Sequence, residues 1–157
     1  MLDVEALRHT IAEIIPFNHI LDISITATSA NHVELTQPEA RERLNYIGVP
    51  HTGASTLFML GEAAAEAMAI HAFYHLIREE GVVPFVVETT ITYYRPTRGE
   101  LRGISTLSQE DQARVRAEIA RIDHTRFTLY THILNESDIL VAELKACWGL
   151  MRPRMKE

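Results

Sequence analysis

The fold of this 157-residue chain is decided by the stretch Thr52–Ile77, which reads TGASTLFMLGEAAAEAMAIHAFYHLI. The stretch contains no Lys, Arg or Asp, and its only carboxylates are Glu62 and Glu66. A helix that is apolar nearly all round belongs inside a folded core. The stretch therefore predicts a long buried helix, which we expect to end near Gly81 because glycine commonly terminates helices.

The residues on either side of this helix predict one short helix and several strands. Apolar residues at helical spacing from Val4 to Ile14 predict a short amphipathic helix that ends at Pro16. Alternation between residues 21 and 35 predicts a hairpin. After the long helix, period-two alternation predicts five strands, near Phe85–Tyr93, Leu101–Leu107, Val115–Ile119, Phe127–Ile133 and Leu140–Trp148.

This order of elements indicates an α+β fold in which an antiparallel sheet wraps around one long central helix. Glycines and alanines along that helix allow the sheet to approach it closely. The composition, 46% hydrophobic and 23% charged, is typical of one globular domain, which we expect to span residues 1–157.

Charge and cysteine content exclude several classes of function. A formal net charge of -6 and a sequence pI near 5.7 provide no basic field for nucleic acid. The single cysteine, Cys147, rules out an internal disulfide framework, and the acidic N-terminus does not resemble a signal peptide. The apolar stretch is interrupted by Glu62 and Glu66 and is too short to span a bilayer. We therefore expect a cytoplasmic protein with no membrane partner.

A candidate catalytic site lies around the start of the long helix. A carboxylate in a core, such as that of Glu62, must find hydrogen bonds, shift its pKa or face a cavity. Asn45, His51 and Gly53 lie just upstream, where the free N–H groups of a helix start can hold a developing negative charge. This combination of a carboxylate, an amide and a helix start suggests acyl chemistry.

The segment from Asn45 to Glu62, NYIGVPHTGASTLFMLGE, resembles the motif of phenylacetyl-CoA-type (PaaI-like) thioesterases in the hotdog-fold superfamily. The order of elements matches that family over nearly the whole chain, as do Pro16-Phe17 and Tyr94-Arg95-Pro96. The resemblance implies a hotdog fold and hydrolysis of an acyl-CoA or related thioester. It implies no cofactor.

The resemblance also implies roles for individual residues. Glu62 would be the general base or the nucleophile, and the Gly53 N–H would bind the thioester oxygen. Asn45 and His51 would position substrate or water. The chain departs from the family pattern because Thr52 replaces a glycine and because His51 lies about two residues farther from Glu62 than usual. The hydroxyl groups of two further residues are therefore second candidates at the helix start, namely Ser55 and Thr56.

The chemistry of the reaction leaves two routes open. Amide donors would stabilise the oxyanion, while the carboxylate of Glu62 either activates water or attacks the carbonyl to form a mixed anhydride. Glu66 lies one turn farther on the same face, as a rim or interface charge or as a substitute for Glu62. Arg95 and Arg98 are candidates for the phosphates of coenzyme A, although solvated loop charges explain them equally.

Several alternatives remain at this point. His71 and His75 share a helical face, but Ala72 stands where a metalloprotease motif requires Glu, so we expect no metal site. A hydroxyacyl dehydratase, or a domain that binds acyl groups without turnover, would use the same fold. A single curved sheet leaves an open strand edge, which predicts a homodimer or a homotetramer built as a dimer of dimers.

Overall fold

The structure is a computed structural model that describes residues 2–15 and 17–153. Its helices and strands follow in the order α1 Val4–Ile14, α2 Phe17–Ile20, β1 Ser24–Ser29, β2 His32–Gln37, β3 Leu44–Asn45, β4 His51–Thr52, α3 Ala54–Arg78, β5 Val83–Tyr93, β6 Leu101–Thr106, α4 Gln109–Ile122, β7 His124–Asn135 and β8 Leu140–Met151. A 3₁₀ turn, Arg41–Arg43, precedes β3.

Six of the strands form one antiparallel sheet in the order β1-β2-β6-β7-β8-β5. The short strands β3 and β4 pair separately with each other. The 25-residue helix α3 packs against β2, β5, β6, β7 and β8. The predicted α+β architecture, a curved antiparallel sheet around a long central helix, is therefore confirmed.

Glycines set the distance between α3 and the sheet. A Cβ atom built on Gly61 would lie 2.8 Å from Leu144 Cδ1 and 3.3 Å from Ile133 Cδ1. A Cβ on Gly103 of β6 would lie 3.2 Å from Leu60 Cγ. Because both positions lack a side chain, helix and sheet come closer than two ordinary side-chain layers would allow. The apolar stretch thus forms the centre of the core.

The prediction of a strand at Val115–Ile119 is wrong, because these residues belong to helix α4. Val115 and Ile119 are buried while Ala117 is exposed, which fits a helical face and contradicts period two. Val115 and Ile119, four residues apart, fit either period, and the deciding feature is the cap: the Ser108 hydroxyl accepts the Asp111 N–H at 3.0 Å. The expectation of five consecutive strands therefore fails at α4.

Helix α4 is joined to a bend in α3. Phe73 has non-helical dihedral angles, φ −120° and ψ 20°, which interrupt the helix near its end. Arg116 of α4 donates from Nη2 to the Ala72 carbonyl at 2.7 Å and lies over the Phe73 ring at 5.6 Å. The guanidinium therefore satisfies a carbonyl beside the bend.

Other predictions agree with the structure within a few residues. The opening helix is confirmed and buries Leu7 and Ile11, although its predicted end at Pro16 lies outside the described residues. The predicted hairpin is β1-β2. Helix α3 ends at Arg78, and Gly81 follows with a φ of 68°. Within residues 2–15 and 17–153, no helix is long and apolar enough to cross a membrane.

The close contact at Gly61 can be tested by adding a side chain. Gly61→Val should lower the free energy of unfolding by about 2 kcal/mol, because the new methyl groups would overlap Leu144 and Ile133. The matched control is Ala113→Val at an exposed position of α4, where only helix propensity changes, by less than about 1 kcal/mol. Urea denaturation of both variants measures the difference, and equal losses would contradict the proposed close packing.

Candidate functional site

The β3-β4 hairpin brings three of the predicted site residues together. Asn45 lies directly opposite His51 in the strand pair, and the chain turns between them through Gly48, whose φ is 74°. Gly53 follows β4 as the N-cap of α3. A Cβ atom built on Gly53 would lie 3.4 Å from Asn45 Oδ1, so the amide side chain lies over the helix start.

His51 presents a defined hydrogen-bonding edge. Its Nδ1 lies 2.9 Å from the Val49 carbonyl oxygen. A carbonyl oxygen can only accept, so Nδ1 carries the hydrogen in the neutral ring and Nε2 keeps its lone pair. The half-buried ring therefore offers an acceptor at Nε2.

The backbone N–H groups that are free at the helix start do not include that of Gly53, which was the predicted oxyanion donor. The Gly53 N–H donates to the Arg43 carbonyl at 2.9 Å, and the Thr52 N–H donates to Thr97 at 2.8 Å. The Gly53 amide, expected to be the oxyanion donor, is thus already occupied. Within the part of the chain that the structure describes, the N–H groups of Ala54 and Ser55 have no acceptor. Those two amides are the donors available at this helix start.

A cavity of about 320 Å³ opens beside this helix start. Its lining consists of Asn45, His51, Thr52, Ala54, Leu57, Tyr93, Tyr94, Arg95 and Pro96. The Tyr93 hydroxyl donates to the Ala54 carbonyl at 3.2 Å, which joins β5 to the first turn of α3. Apolar and aromatic walls with a few polar groups are typical of sites for small molecules.

Four further candidates occupy different positions around the helix start. Arg95 lines the cavity, and no hydrogen bond joins it to another described residue. Arg98 instead forms an ion pair with Glu39 at 2.8 Å. Ser55 is exposed, and the Thr56 hydroxyl lies 3.5 Å from the Arg43 carbonyl oxygen. Of the two arginines, Arg95 is the one without a carboxylate partner.

Between Leu57 and Phe73, the half-exposed residues of α3 form one stripe, and Glu62 lies on it. The stripe also contains Phe58, Met59 and Glu66. The hydroxyl of Thr89 on β5 donates to Glu62 Oε1. No cation among residues 2–15 and 17–153 forms an ion pair with this carboxylate. The hydrogen-bond donor to Glu62 is therefore a neutral hydroxyl group.

Sequence reasoning missed the contributions of Thr89 and Tyr93. Both belong to the alternating run that forms β5, and both reach α3 through their hydroxyl groups. Thr89 is the one polar aliphatic residue in an alternating set whose other members are apolar or aromatic, namely Phe85, Val87, Ile91 and Tyr93. That exception was visible in the sequence, but its contact with Glu62 depends on the register between strand and helix.

Glu66 lies one helical turn after Glu62 on the same stripe. Burial and the negative charge of Glu62 raise the pKa of Glu66 from its ordinary value of 4.5 to about 7. Neither a hydrogen bond nor an ion pair joins Glu66 to any residue that the structure describes. The two carboxylates thus have different surroundings on one face.

The structure separates the carboxylate from the other candidate residues of the same chain. Glu62 is not among the residues that line the cavity at the helix start. Eight residues separate it from Ala54, which corresponds to about 12 Å along the helix axis. One carbonyl carbon therefore cannot contact both the Glu62 carboxylate and the free amides of the same chain.

The histidine pair in the second half of α3 has structural partners. His71 is buried, and its Nε2 lies 3.0 Å from the Ser29 carbonyl oxygen. Burial lowers the pKa of His71. His75 is exposed, with Nδ1 2.9 Å from Glu79 Oε1. Across the described residues, no group of three or more His, Cys, Asp or Glu could hold a metal ion.

Comparisons with known proteins relate this chain to a family of unknown function and to structures named as thioesterases. A family model described as "Domain of unknown function (DUF4442)" matches residues 4–150. A Pseudomonas aeruginosa protein of unknown function, described as a "Probable Thioesterase", is 26% identical, with a TM-score of 0.80 over 96% of each chain. No curated protein matches.

Two more distant structures share the same fold. A Haemophilus influenzae thioesterase is 15% identical, with a TM-score of 0.73 over 99% of this chain and 96% of its own. A Chlorobaculum tepidum protein of unknown function is 16% identical, with a TM-score of 0.71 over 96% and 94%. Together with the strand order, these similarities confirm the predicted hotdog fold of the thioesterase superfamily.

The raised pKa of Glu66 has a consequence for stability. Because the folded state keeps this proton up to about pH 7 and the unfolded chain releases it near pH 4.5, ionisation of Glu66 opposes folding. The penalty is absent below pH 4.5, grows between pH 4.5 and 7, and is complete above pH 7. Glu66→Gln should therefore raise Tm relative to the natural chain at pH 8 more than at pH 5, as calorimetry would measure. Equal changes at the two pH values would contradict this ionisation.

Proposed function

The chain belongs to the DUF4442 family, and on that premise we propose that it hydrolyses an acyl-CoA or a related acyl thioester. The observation that carries the proposal is the state of Glu62. This carboxylate lies on an otherwise apolar helix, accepts a hydrogen bond from Thr89 and has no ion-pair partner among the described residues. An unneutralised carboxylate in such surroundings is suited to act as a base or nucleophile.

The N–H groups of Ala54 and Ser55 are the proposed oxyanion donors. Attack on a thioester places negative charge on the carbonyl oxygen, and donors fixed in advance stabilise that charge. These two amides are free because they begin the helix, whereas the Gly53 amide is already bonded. Gly53 then contributes as the N-cap that lets the Asn45 side chain approach.

The proposed catalytic site is shared between two copies of the chain. Within one copy, Glu62 and Ala54 lie about 12 Å apart along the helix axis. If two copies pair with their α3 helices antiparallel about a two-fold axis, the helix start of one copy meets the middle of the other. Each site would then combine Glu62 from one copy with the free amides from its partner.

The exposed surface of the single chain supports this pairing. Strand β5 lies at the edge of the sheet, and its apolar side chains Val83, Phe85, Val86 and Val87 are each 38–44% exposed. A long apolar edge strand with unpaired backbone groups is a template for pairing with another chain. Phe58 and Met59 would be covered by the same contact. We therefore propose a homodimer. In a dimer of dimers, the convex side of the sheet would form the second contact.

The cavity beside the hairpin would hold the thioester near these groups. His51 offers the lone pair of Nε2, and Asn45 offers its amide, to orient water or substrate. Arg95 is the proposed contact for a phosphate of coenzyme A, because it lines the cavity without a carboxylate partner. Arg98 is a weaker candidate because Glu39 already binds it. A single domain and a cytoplasmic location complete the proposal.

Removal of the Glu62 carboxylate tests the activity directly. Glu62→Gln should lower kcat/KM for release of free thiol from acyl-CoA by a factor of roughly 10² to 10⁴, because Gln can neither accept the proton nor attack the carbonyl. The matched control is Glu88→Gln on the exposed side of β5, which should leave the rate unchanged. Saturable binding without thiol release would indicate an acyl-binding domain, and an enoyl product detected by ultraviolet absorption would indicate a dehydratase.

Ala54→Pro tests the amide donors and the shared site together. Proline is tolerated at the first position of a helix, and Gly53 has the extended conformation that a following proline requires, with φ −65° and ψ 144°. The variant should therefore fold while losing one donor, and kcat should fall by roughly 10² to 10³. Gln109→Pro at the first position of α4 is the matched control.

Mixing the two inactive variants separates a shared site from one within a single chain. In a mixed dimer of Glu62→Gln and Ala54→Pro chains, one of the two sites contains both intact groups. Random exchange of subunits should therefore restore about a quarter of the wild-type activity. Light scattering should give twice the chain mass of 17.8 kDa. No recovery after proven exchange, or a stable active monomer, would contradict the shared site.

A further inference from the structure

Glu66 is a second carboxyl group in the proposed site, and its position gives it surroundings different from those of Glu62. The two side chains lie four residues apart on the same stripe, where two negative charges repel each other. Thr89 donates a hydrogen bond to Glu62, whereas Glu66 receives none from any described residue. Burial and the nearby charge of Glu62 raise the pKa of Glu66 to about 7, so the Glu66 carboxyl group can hold a proton near neutral pH.

The elements packed beside Glu66 bring no compensating charge to it. On α3 the charged neighbour is Glu62, which together with burial raises the pKa of Glu66. On β8 the titratable residues Glu143, Lys145 and Cys147 alternate with the buried Leu144 and Ala146 and so lie on the other face of the sheet. On β5, Glu88 pairs with Cys147 and lies on that other face as well. The carboxyl group of Glu66 thus faces the stripe without a cation.

We propose that, in the thioesterase reaction proposed above, Glu66 is the general acid that protonates the departing thiolate while Glu62 acts on water. This role rests on the proposed function and assigns a separate task to each carboxyl group. Pairs of carboxyl groups whose surroundings separate their protonation states commonly divide acid and base roles in this way.

The proposed reaction balances without a further reactant. Glu62 removes a proton from water as the water oxygen bonds to the thioester carbon, and the carbonyl oxygen becomes the oxyanion held by the Ala54 and Ser55 amides. The oxyanion then re-forms the carbonyl as the carbon–sulfur bond breaks, and sulfur takes the Glu66 proton. The products are the acid and the free thiol. Transfer of the proton from Glu62 to Glu66, directly or through water, restores the starting state.

Titration of the carboxyl groups tests the inference independently of turnover. In protein labelled with ¹³C at the glutamate carboxyl carbons, one signal of the natural chain should titrate near pH 7. That signal should be absent from Glu66→Gln, whose side chain closely matches the protonated glutamate in shape. A spectrum in which no glutamate titrates above pH 6 would overturn the proposed role of Glu66, even if the chain releases thiol from acyl-CoA.

The leaving group tests the role as an acid. An alkyl thiolate such as that of coenzyme A gains from protonation, whereas an aryl thiolate is stable enough to depart alone. Glu66→Gln should therefore lower kcat about tenfold or more for an alkyl thioester but less than about threefold for the matching thiophenyl ester, with little change in KM. Equal losses for the two esters, or no loss for either, would overturn the inference.

A control variant and the natural chain show whether a negative result contradicts the proposed thioesterase function or only the role of Glu66. Glu88→Gln makes the same chemical change on the opposite face of the sheet and should alter neither the titration near pH 7 nor the ratio of rates for the two esters. A natural chain that releases no thiol would overturn the proposed function and this role with it. An active natural chain whose rate ratio matches that of Glu66→Gln would overturn the role of Glu66 alone.

Discussion

The close contact between α3 and the sheet is the constraint on which the rest of the structure depends. Gly61 against Leu144, and Gly103 against Leu60, let the sheet bend around the helix with little space between them. Most of α3 is consequently buried against its own chain, and one narrow stripe in the middle of the helix stays half-exposed. The same contact fixes Thr89 beside Glu62, because β5 and β8 follow the curve of the sheet. The exposure of Glu62 and its hydrogen bond with Thr89 thus follow from the close packing of helix and sheet.

Much of the fold could be predicted from the sequence because hydrophobic periodicity reports burial directly. The long apolar stretch predicted α3, and long alternating runs predicted β5 to β8. The error at Val115–Ile119 shows the limit of this signal. Two apolar residues four positions apart, such as Val115 and Ile119, share a face in a helix and in a strand alike, so the Ser108 cap and the exposed Ala117 were needed to distinguish the two.

The candidate site could be predicted only in part, and the reason is geometric. Nearness in sequence brought Asn45, His51 and Gly53 together through a short hairpin. The occupied amide of Gly53 depends on the Arg43 carbonyl, ten residues earlier, and the Thr89 contact depends on the register of an edge strand. Hydrogen bonds between distant segments leave no local pattern in a single sequence. The axial distance between Glu62 and Ala54 is likewise apparent only once the helix is placed.

The contact between Arg116 and the bend at Phe73 links α4 to the last turns of α3. Helix α4 packs on the core through Val115 and Ile119, and the guanidinium group of Arg116 binds the Ala72 carbonyl of α3. The Ala72 carbonyl thus accepts a hydrogen bond from α4 beside the bend, which couples the last turns of α3 to that helix. In amide hydrogen exchange, these two segments should open as one cooperative unit, distinct from the first half of α3, so that local fluctuations at this end leave the carboxylates undisturbed.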